Sequence, residues 1–436
     1  MGYSYLKTIP EHWEIGEIEN YLELIIDYRG KTPKKANSGI RTLSARSVKN
    51  GRINYAQAYF ISEKTFEEWE TRGKPKPGDV LLTTEGPLGE VAQLGTQRVA
   101  LAQRLIGLRG KERELDNTYL KYFLISPVGK NELLSKVSGT TVQGIKQSEF
   151  RKIKLIKPPY NEQVAIAGIL SKLDAKIELN ERMNRTLEAV GEAVFSRWFV
   201  DFEFPNQEGK PYKTNGGKII DSEMGKIPCM WKYERMSELI TVTDGTHSSP
   251  KKSRSGYYLV TSKHVKEQQI DFSQAYKISE TDFIEIKKRS GVTTNDILIT
   301  MIGTVGNVLL VQEKTIDFAI KNIGLFKSSE RPDLFEYVYY SLKSQKSMDY
   351  VRTRISGTTQ GYLTLESLRN FPIVIPTNDL ILGFKKIANP LLEKVWINRE
   401  QTKTLLKLRD ILLPKLMSGK IRVPIIKEKM EPALNA

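Results

Sequence analysis

Cysteine, histidine and long apolar runs are scarce in this chain. Its 436 residues include one cysteine, Cys229, and three histidines, His12, His247 and His264. A single cysteine excludes an internal disulfide, and so few Cys and His side chains argue against a zinc site. No apolar stretch approaches the roughly 18 residues that suggest a membrane span. The opening Met1-Gly-Tyr-Ser-Tyr-Leu-Lys7 lacks the apolar centre of a secretory leader. These absences lead to the expectation of a cytoplasmic protein with no metal and no membrane contact.

Catalytic motifs are missing too. Gly139-Thr-Thr-Val-Gln-Gly144 has the glycine spacing of a phosphate loop, but Ile145 stands where the lysine must be. There is no Gly-x-Ser-x-Gly elbow and no His-Glu-x-x-His helix. Lys157-Pro158-Pro159-Tyr160 imitates the Asn/Asp/Ser-Pro-Pro-Tyr/Phe motif of adenine methyltransferases. There the first residue accepts from the amino group being methylated, which a lysine cannot do, and no glycine-rich S-adenosylmethionine loop accompanies it. The prolines read instead as punctuation between a strand and a helix. No catalytic residue is assigned.

What is present is positive charge and repetition. Hydrophobic residues make up 39%, enough for real cores, and the length suggests about two to four domains. The formal charge of +16 and a pI near 9.5 point to a polyanionic partner, against the plainer reading of a basic protein without one. Ile9-Pro10-Glu-His-Trp13 recurs as Ile227-Pro228-Cys-Met-Trp231, at an offset of 218. Gly78 to Thr83 recurs as Asn295 to Thr300 at an offset of 217, Gly86 and Gly89 as Gly303 and Gly306, and Ile106-Gly-Leu108 as Ile323-Gly-Leu325. Ser138-Gly-Thr-Thr141 recurs as Ser356-Gly-Thr-Thr359, Asn180 as Asn398, and Leu187 as Leu405. One near-constant offset over almost a whole unit marks a duplication.

Each copy has two parts. Residues 1–160 and 219–376 read as mixed α/β (α+β), with short β-branched runs such as Asp79 to Thr84, Ile153 to Ile156 and Ile373 to Ile375 between Gly and Pro. Residues 161–202 and 377–419 read as helices. Ile166, Leu170, Leu173, Ile177, Asn180, Asn184 and Leu187 follow 4-3 spacing, and their counterparts include Phe384, Ala388, Leu391, Val395, Asn398, Thr402, Leu405 and Arg409. Sustained heptads argue for a coiled coil, here two long antiparallel helices with a pseudo-two-fold relation, each a rod of roughly 60 Å. Pro390 should kink or delay the second helix. Asn180 and Asn398 either face each other and set register or are solvated. Arg182, Arg185, Arg197, Arg399 and Lys403 are read as solvated or partner-facing. Phe195, Trp198 and Phe199 either pack under the second domain or dock a partner. Residues 203–218 read as a linker, and 420–436 as an irregular tail.

Basic and polar residues cluster in corresponding loops. The first copy offers Arg29, Lys31, Lys34, Lys35 and Arg46; the second offers His247, Lys251, Lys252, Arg254 and Lys263. Thr140, Thr141 and Gln143, with Thr358, Thr359 and Gln360, add hydroxyls and amides of the kind that meet phosphates and base edges. The alternatives are solvated loops and ordinary turn chemistry. Framework positions match between the copies while these loops do not, as two readers of different sequences would require.

On these residues the whole chain resembles the specificity (S) subunit of type I restriction-modification enzymes. The resemblance is carried by Ile-Pro-x-x-Trp opening each copy, the Ser-Gly-Thr-Thr segments, Pro158-Pro159-Tyr-Asn-Glu162-Gln163, Leu173-Asp174-Ala-Lys-Ile177 and Asn180. The second copy departs from it at Pro376-Thr-Asn-Asp379, which leaves the start of its helix open. The resemblance implies two target recognition domains, each reading one half of a split, asymmetric duplex DNA target, with the helices setting the spacing. It implies two modification (M) subunits carrying S-adenosylmethionine and adenine-N6 methylation, and two restriction (R) subunits using ATP and Mg. The chain itself would hold no cofactor and catalyse nothing. A duplicated scaffold for protein or RNA, and a DNA methyltransferase fused to its reader, are the other readings.

Overall fold

The computed structural model describes residues 9–28, 31–138, 143–222, 225–266, 269–357 and 361–423. The chain divides into two compact units, Met1–Leu179 with Gln401–Ala436, and Asn180–Glu400. The division falls inside the two long helices, so each unit holds one mixed domain and a part of both helices.

In the first unit β1 (Leu22–Asp27), β2 (Val80–Thr84), β3 (Leu88–Gln93) and β4 (Leu105–Gly110) form an antiparallel sheet in the order β1-β4-β2-β3. Alternate side chains of a strand point to opposite faces. Val80 and Leu82 therefore enter one core with Ile106, Tyr119 and Phe123, while Leu81 enters a second with Ile26, Leu43 and Leu101. Burial on both faces explains why β2 reads as an unbroken apolar and β-branched run. Tyr59–Ile61, Ile40–Leu43 and Val99–Leu101 make a smaller sheet. Glu14–Glu17 pairs with Lys154–Lys157 and closes the domain just before the first long helix.

The second unit repeats this plan. β5 (Val242–Asp244), β6 (Ile297–Thr300), β7 (Val308–Leu310) and β8 (Ile323–Phe326) run antiparallel in the order β5-β8-β6-β7. Lys277–Ile278, Tyr257–Val260 and Phe318–Ile320 form the smaller sheet, and Lys232–Arg235 pairs with Pro372–Ile375. The repeat in sequence is thus a repeat of topology.

A buried acid–base pair pins the same sheet position in each domain. Asp79 accepts two hydrogen bonds of 2.8 Å from Arg109 and one from the Lys76 N–H. Asp296 accepts from Lys327 at 2.7 Å and from the Thr293 N–H at 2.7 Å.

The long helices are α1 (Tyr160–Phe195), which runs on as a π turn through Val200, and α2 (Asn378–Met417). α2 begins before Pro390 and continues through it, so the proline does not delay the helix. The segment 203–218 is not free along its whole length, although most of its residues are exposed. Phe204 is 9% exposed, stacks on Tyr212 and Trp231, and belongs with Phe202 to the core of the second unit. Its glycines and prolines shape turns, but the aromatics between them have a core to enter. Phe195 and Phe199 lie in that same core.

Candidate nucleic-acid interface

In the first domain Lys31, Lys34, Lys35 and Arg46 are all exposed. The lysines lie on the loop after β1, which is held at its start by the Lys31 N–H on the Tyr28 carbonyl and at its end by the Ala36 N–H on the Phe60 carbonyl. Lys35 sits 5.1 Å over the ring of Tyr59, whose hydroxyl is pushed up in pKa by burial. Arg46 lies on the single turn Ala45–Ser47. Gln143, also exposed, belongs to a different place, beside the turn that joins β2 to β3. Ser138 and Gly144 exchange backbone hydrogen bonds, and the Ile145 N–H donates to the Thr84 carbonyl at the end of β2. The second domain repeats this with Ser356 and Tyr362, and with the Leu363 N–H on the Met301 carbonyl. Gly86 and Gly303 open the two turns at φ of 52° and 79°, backbone that L side chains rarely adopt. Arg29, Thr140, Thr141, Thr358, Thr359 and Gln360 lie outside the described residues.

In the second domain His247, Lys251, Lys252, Arg254 and Lys263 are exposed. Lys252 lies 5.6 Å from the Tyr276 ring. The loop after β5 is tied to the turn before β8 by Lys321, which donates to the Ser249 hydroxyl, and by His247 Nδ1, 2.9 Å from Asn322 Oδ1. His247 Nε2 lies 3.0 Å from the buried Asp244 carboxylate. Both ring nitrogens of His247 thus meet the scaffold. His264 is buried, accepts from the Thr261 N–H at Nδ1, and has its pKa lowered first by burial and then by the charge of Lys263. It caps the single turn Ser262–His264.

In the first unit Ile166 and Leu170 share a core with Leu416 and Met417, Ile177 is buried, and Leu173 and Leu405 are half-buried. Asp174 accepts from the Tyr122 hydroxyl at 2.7 Å and from Arg409 at 3.2 Å. Burial works to raise its pKa, but Tyr122, Lys121 and Arg409 together hold the carboxyl below the ordinary value.

In the second unit Asn180, Asn184 and Asn398 are buried, so they are not solvated. Asn398 Nδ2 donates to Asn184 Oδ1 at 2.8 Å, Asn184 Nδ2 to the Val395 carbonyl at 3.3 Å, and Asn180 Nδ2 to the Asn398 carbonyl at 3.4 Å. The partner number falls as the α1 number rises, so the segments run antiparallel there. Val395 is buried and Leu187 half-buried. Leu392, not Leu391, joins the core. Around a helix Leu392 stands about 40° from buried Ala388 and Leu391 about 60°, so the packing decides between them. Gly191 faces Tyr340, whose hydroxyl would stand 2.1 Å from an added Cβ. Arg399, read as solvated or partner-facing, instead pairs with Glu188 at 3.1 Å, with both side chains largely buried.

Residues 10–189 and 228–381 match the family model described as the Type I restriction modification DNA specificity domain. The chain belongs to this family. It is 27% identical to the type I restriction enzyme MjaIX specificity subunit of Methanocaldococcus jannaschii, over 96% of this chain and 95% of that one. The HindI specificity subunit of Haemophilus influenzae is 24% identical over 65% of this chain and 72% of its own. Among solved structures, the S subunit of a type I restriction-modification system from M. genitalium aligns with a TM-score of 0.58 at 15% identity, covering 94% of this chain and 96% of that one, which shows a shared fold. The chain is a DNA specificity subunit, a non-catalytic component. No helix among the described residues is long and apolar enough to cross a membrane.

The geometry accounts for the motifs of this specificity subunit. Trp13 Nε1 donates to the buried Glu162 carboxylate, so Ile-Pro-x-x-Trp meets Pro-Pro-x-x-Glu-Gln. Gln163 donates to the Pro158 carbonyl at 2.8 Å and accepts from the Asp116 N–H at 2.9 Å, which fixes the start of α1. In the second domain Trp231 packs on Phe199, Phe202 and Phe204 instead. The α2 positions that match Glu162 and Gln163 are Leu380 and Ile381, which are buried in the same core as Trp231. Two residues escaped the sequence reading, Arg72 and Arg289. Each reaches the aspartate that ends β1 or β5, and their identical offset of 217 was the available signal.

Proposed function

We propose that this chain is the DNA-reading subunit of a type I restriction-modification complex, and that each domain reads one half of a bipartite, asymmetric duplex target. One observation carries this reading: the same sheet order and the same buried acid–base pair occur twice, while the exposed basic loops differ. A symmetric dimer reads a palindrome, whereas a fused pair with different loops suits two different half-sites. The loop residues named above are the contacts, with lysines and arginines on phosphates and Gln143 and Gln360 among the candidates for base edges.

The helical pair sets the distance between half-sites and holds two modification subunits. Val190, Leu382, Ile397 and Ile411 support a docking role, since each stays at least 44% exposed on α1 or α2. S-adenosylmethionine and adenine methylation belong to those subunits. ATP- and Mg-dependent translocation and cleavage belong to two restriction subunits, and this chain carries no cofactor. The complex acts in the cytoplasm.

The test is a methylome of cells expressing the operon. A split, adenine-methylated motif is the expected result, and exchanging residues 1–160 for another recognition domain changes one half only. Modification without a split motif, or a domain exchange that alters both halves, refutes the reading.

A further inference from the structure

The duplication places an arginine at one matching position of each domain, outside the basic loops. Arg72 follows the helix Glu63–Trp69, and Arg289 lies in the last turn of the helix Glu280–Ser290. They stand 217 residues apart, the offset that also separates Asp27 from Asp244 at the ends of β1 and β5. In the first domain the Arg72 guanidinium donates to the Asp27 carbonyl and lies 6.0 Å from the centre of the Tyr28 ring. In the second, Arg289 Nη2 donates to the Asp244 carboxylate, which is 3% exposed and shared with His247, while Arg289 itself is 53% exposed.

A guanidinium carries five N–H donors in a planar fork. Anchored on one edge by the scaffold, each of these keeps its remaining donors toward solvent and loses less rotamer freedom when it binds. Arg289 also borders a shallow depression of about 240 Å³ that the Thr246 and Ser248 side chains help line. Asp282, which accepts from the Ser279 hydroxyl, and Glu285, paired with Lys288, line it as well. The Thr246 and Ser248 hydroxyls bond each other there at 2.8 Å, and the Arg289 fork beside them is the group suited to a phosphate.

We infer that Arg72 and Arg289 are equivalent phosphate contacts that seat each domain on duplex DNA, and that they do not read bases. The inference rests on the half-site reading above. Loops that differ between the domains suit base edges that differ between two half-sites, beside the phosphates that their lysines and arginines meet. An arginine at the same scaffold position in both suits what the half-sites share, which is the phosphodiester backbone.

The test uses the full chain copurified with its modification subunits, carrying Arg72→Gln, Arg289→Gln or both. Binding to cognate and non-cognate duplex is measured over a salt series. Each lost phosphate contact lowers the slope of log affinity against log salt by about 0.9. A fourfold rise in salt then weakens a single variant about 3.5-fold less than the parent. Affinity falls in parallel on both duplexes, and the methylated motif stays the same.

A changed base preference in the matching half-site overturns the inference in favour of base reading. An unchanged slope in a variant that melts like the parent overturns it in favour of a structural role. If the parent complex itself fails to prefer its cognate duplex, it is the half-site reading that has failed, and the slopes still report the phosphate contacts.

Discussion

The asparagine layer in the helical pair of the second unit gives the most direct test of how the helices hold register. Replacing Asn398 with leucine removes the 2.8 Å donor to Asn184 Oδ1 and leaves that buried oxygen without it. An orphaned buried polar group costs about 1–3 kcal/mol, and the leucine returns part of this by apolar burial. The single variant should lose about 2 kcal/mol, read as a lower denaturant midpoint for the transition reported by Trp198 and Trp231. Replacing Asn180, Asn184 and Asn398 together removes donors and acceptors at once, so stability should return to the parent value or exceed it. What the triple variant should lose is register, because leucines pack equally well when slipped by a turn. In the complex this appears as methylation of split sites with altered spacing. A neutral single variant, or a triple variant that keeps the parent spacing, refutes the reasoning.

Three further outcomes follow from buried groups. Burial pushes the Glu336 carboxyl up to about 7, with no hydrogen-bond partner from another residue among those described. The folded chain then holds a proton that the unfolded chain releases near pH 4.5, so stability falls as pH rises from about 4.5 to 7. Glu336→Gln should abolish that dependence and gain up to about 3 kcal/mol at pH 8 in denaturant titrations; equal pH profiles would contradict it. Asp79→Asn leaves Arg109 without its buried partner and should cost about 3–5 kcal/mol, seen as a lower melting temperature. Phe204→Ala should cost about 3–5 kcal/mol in the second unit, whereas a true linker residue would be neutral in the same melt.

Much of this protein was legible in its sequence. The duplication, the buried central strands and the two long helices all follow from periodicity and from a constant offset, which are local or self-referential signals. The family motifs were legible as well, but their purpose was not. That Trp13 donates to Glu162 requires bringing together residues 149 positions apart, and nothing in either segment states the partner.

Tertiary structure decided what periodicity leaves degenerate. Leu391 and Leu392 are equally apolar, and only the surroundings of α2 put Leu392 in the core. Glycines and prolines made 203–218 resemble a linker, yet Phe202 and Phe204 bury against Trp231 because a hydrophobic surface was there to receive them. The same limit hid Arg72 and Arg289. A charged residue in sequence reads as solvated, and only the fold brings each one onto the aspartate that ends a strand. Composition and spacing determine which elements form, while the choice among side chains of equal character rests with whatever the folded chain places opposite them.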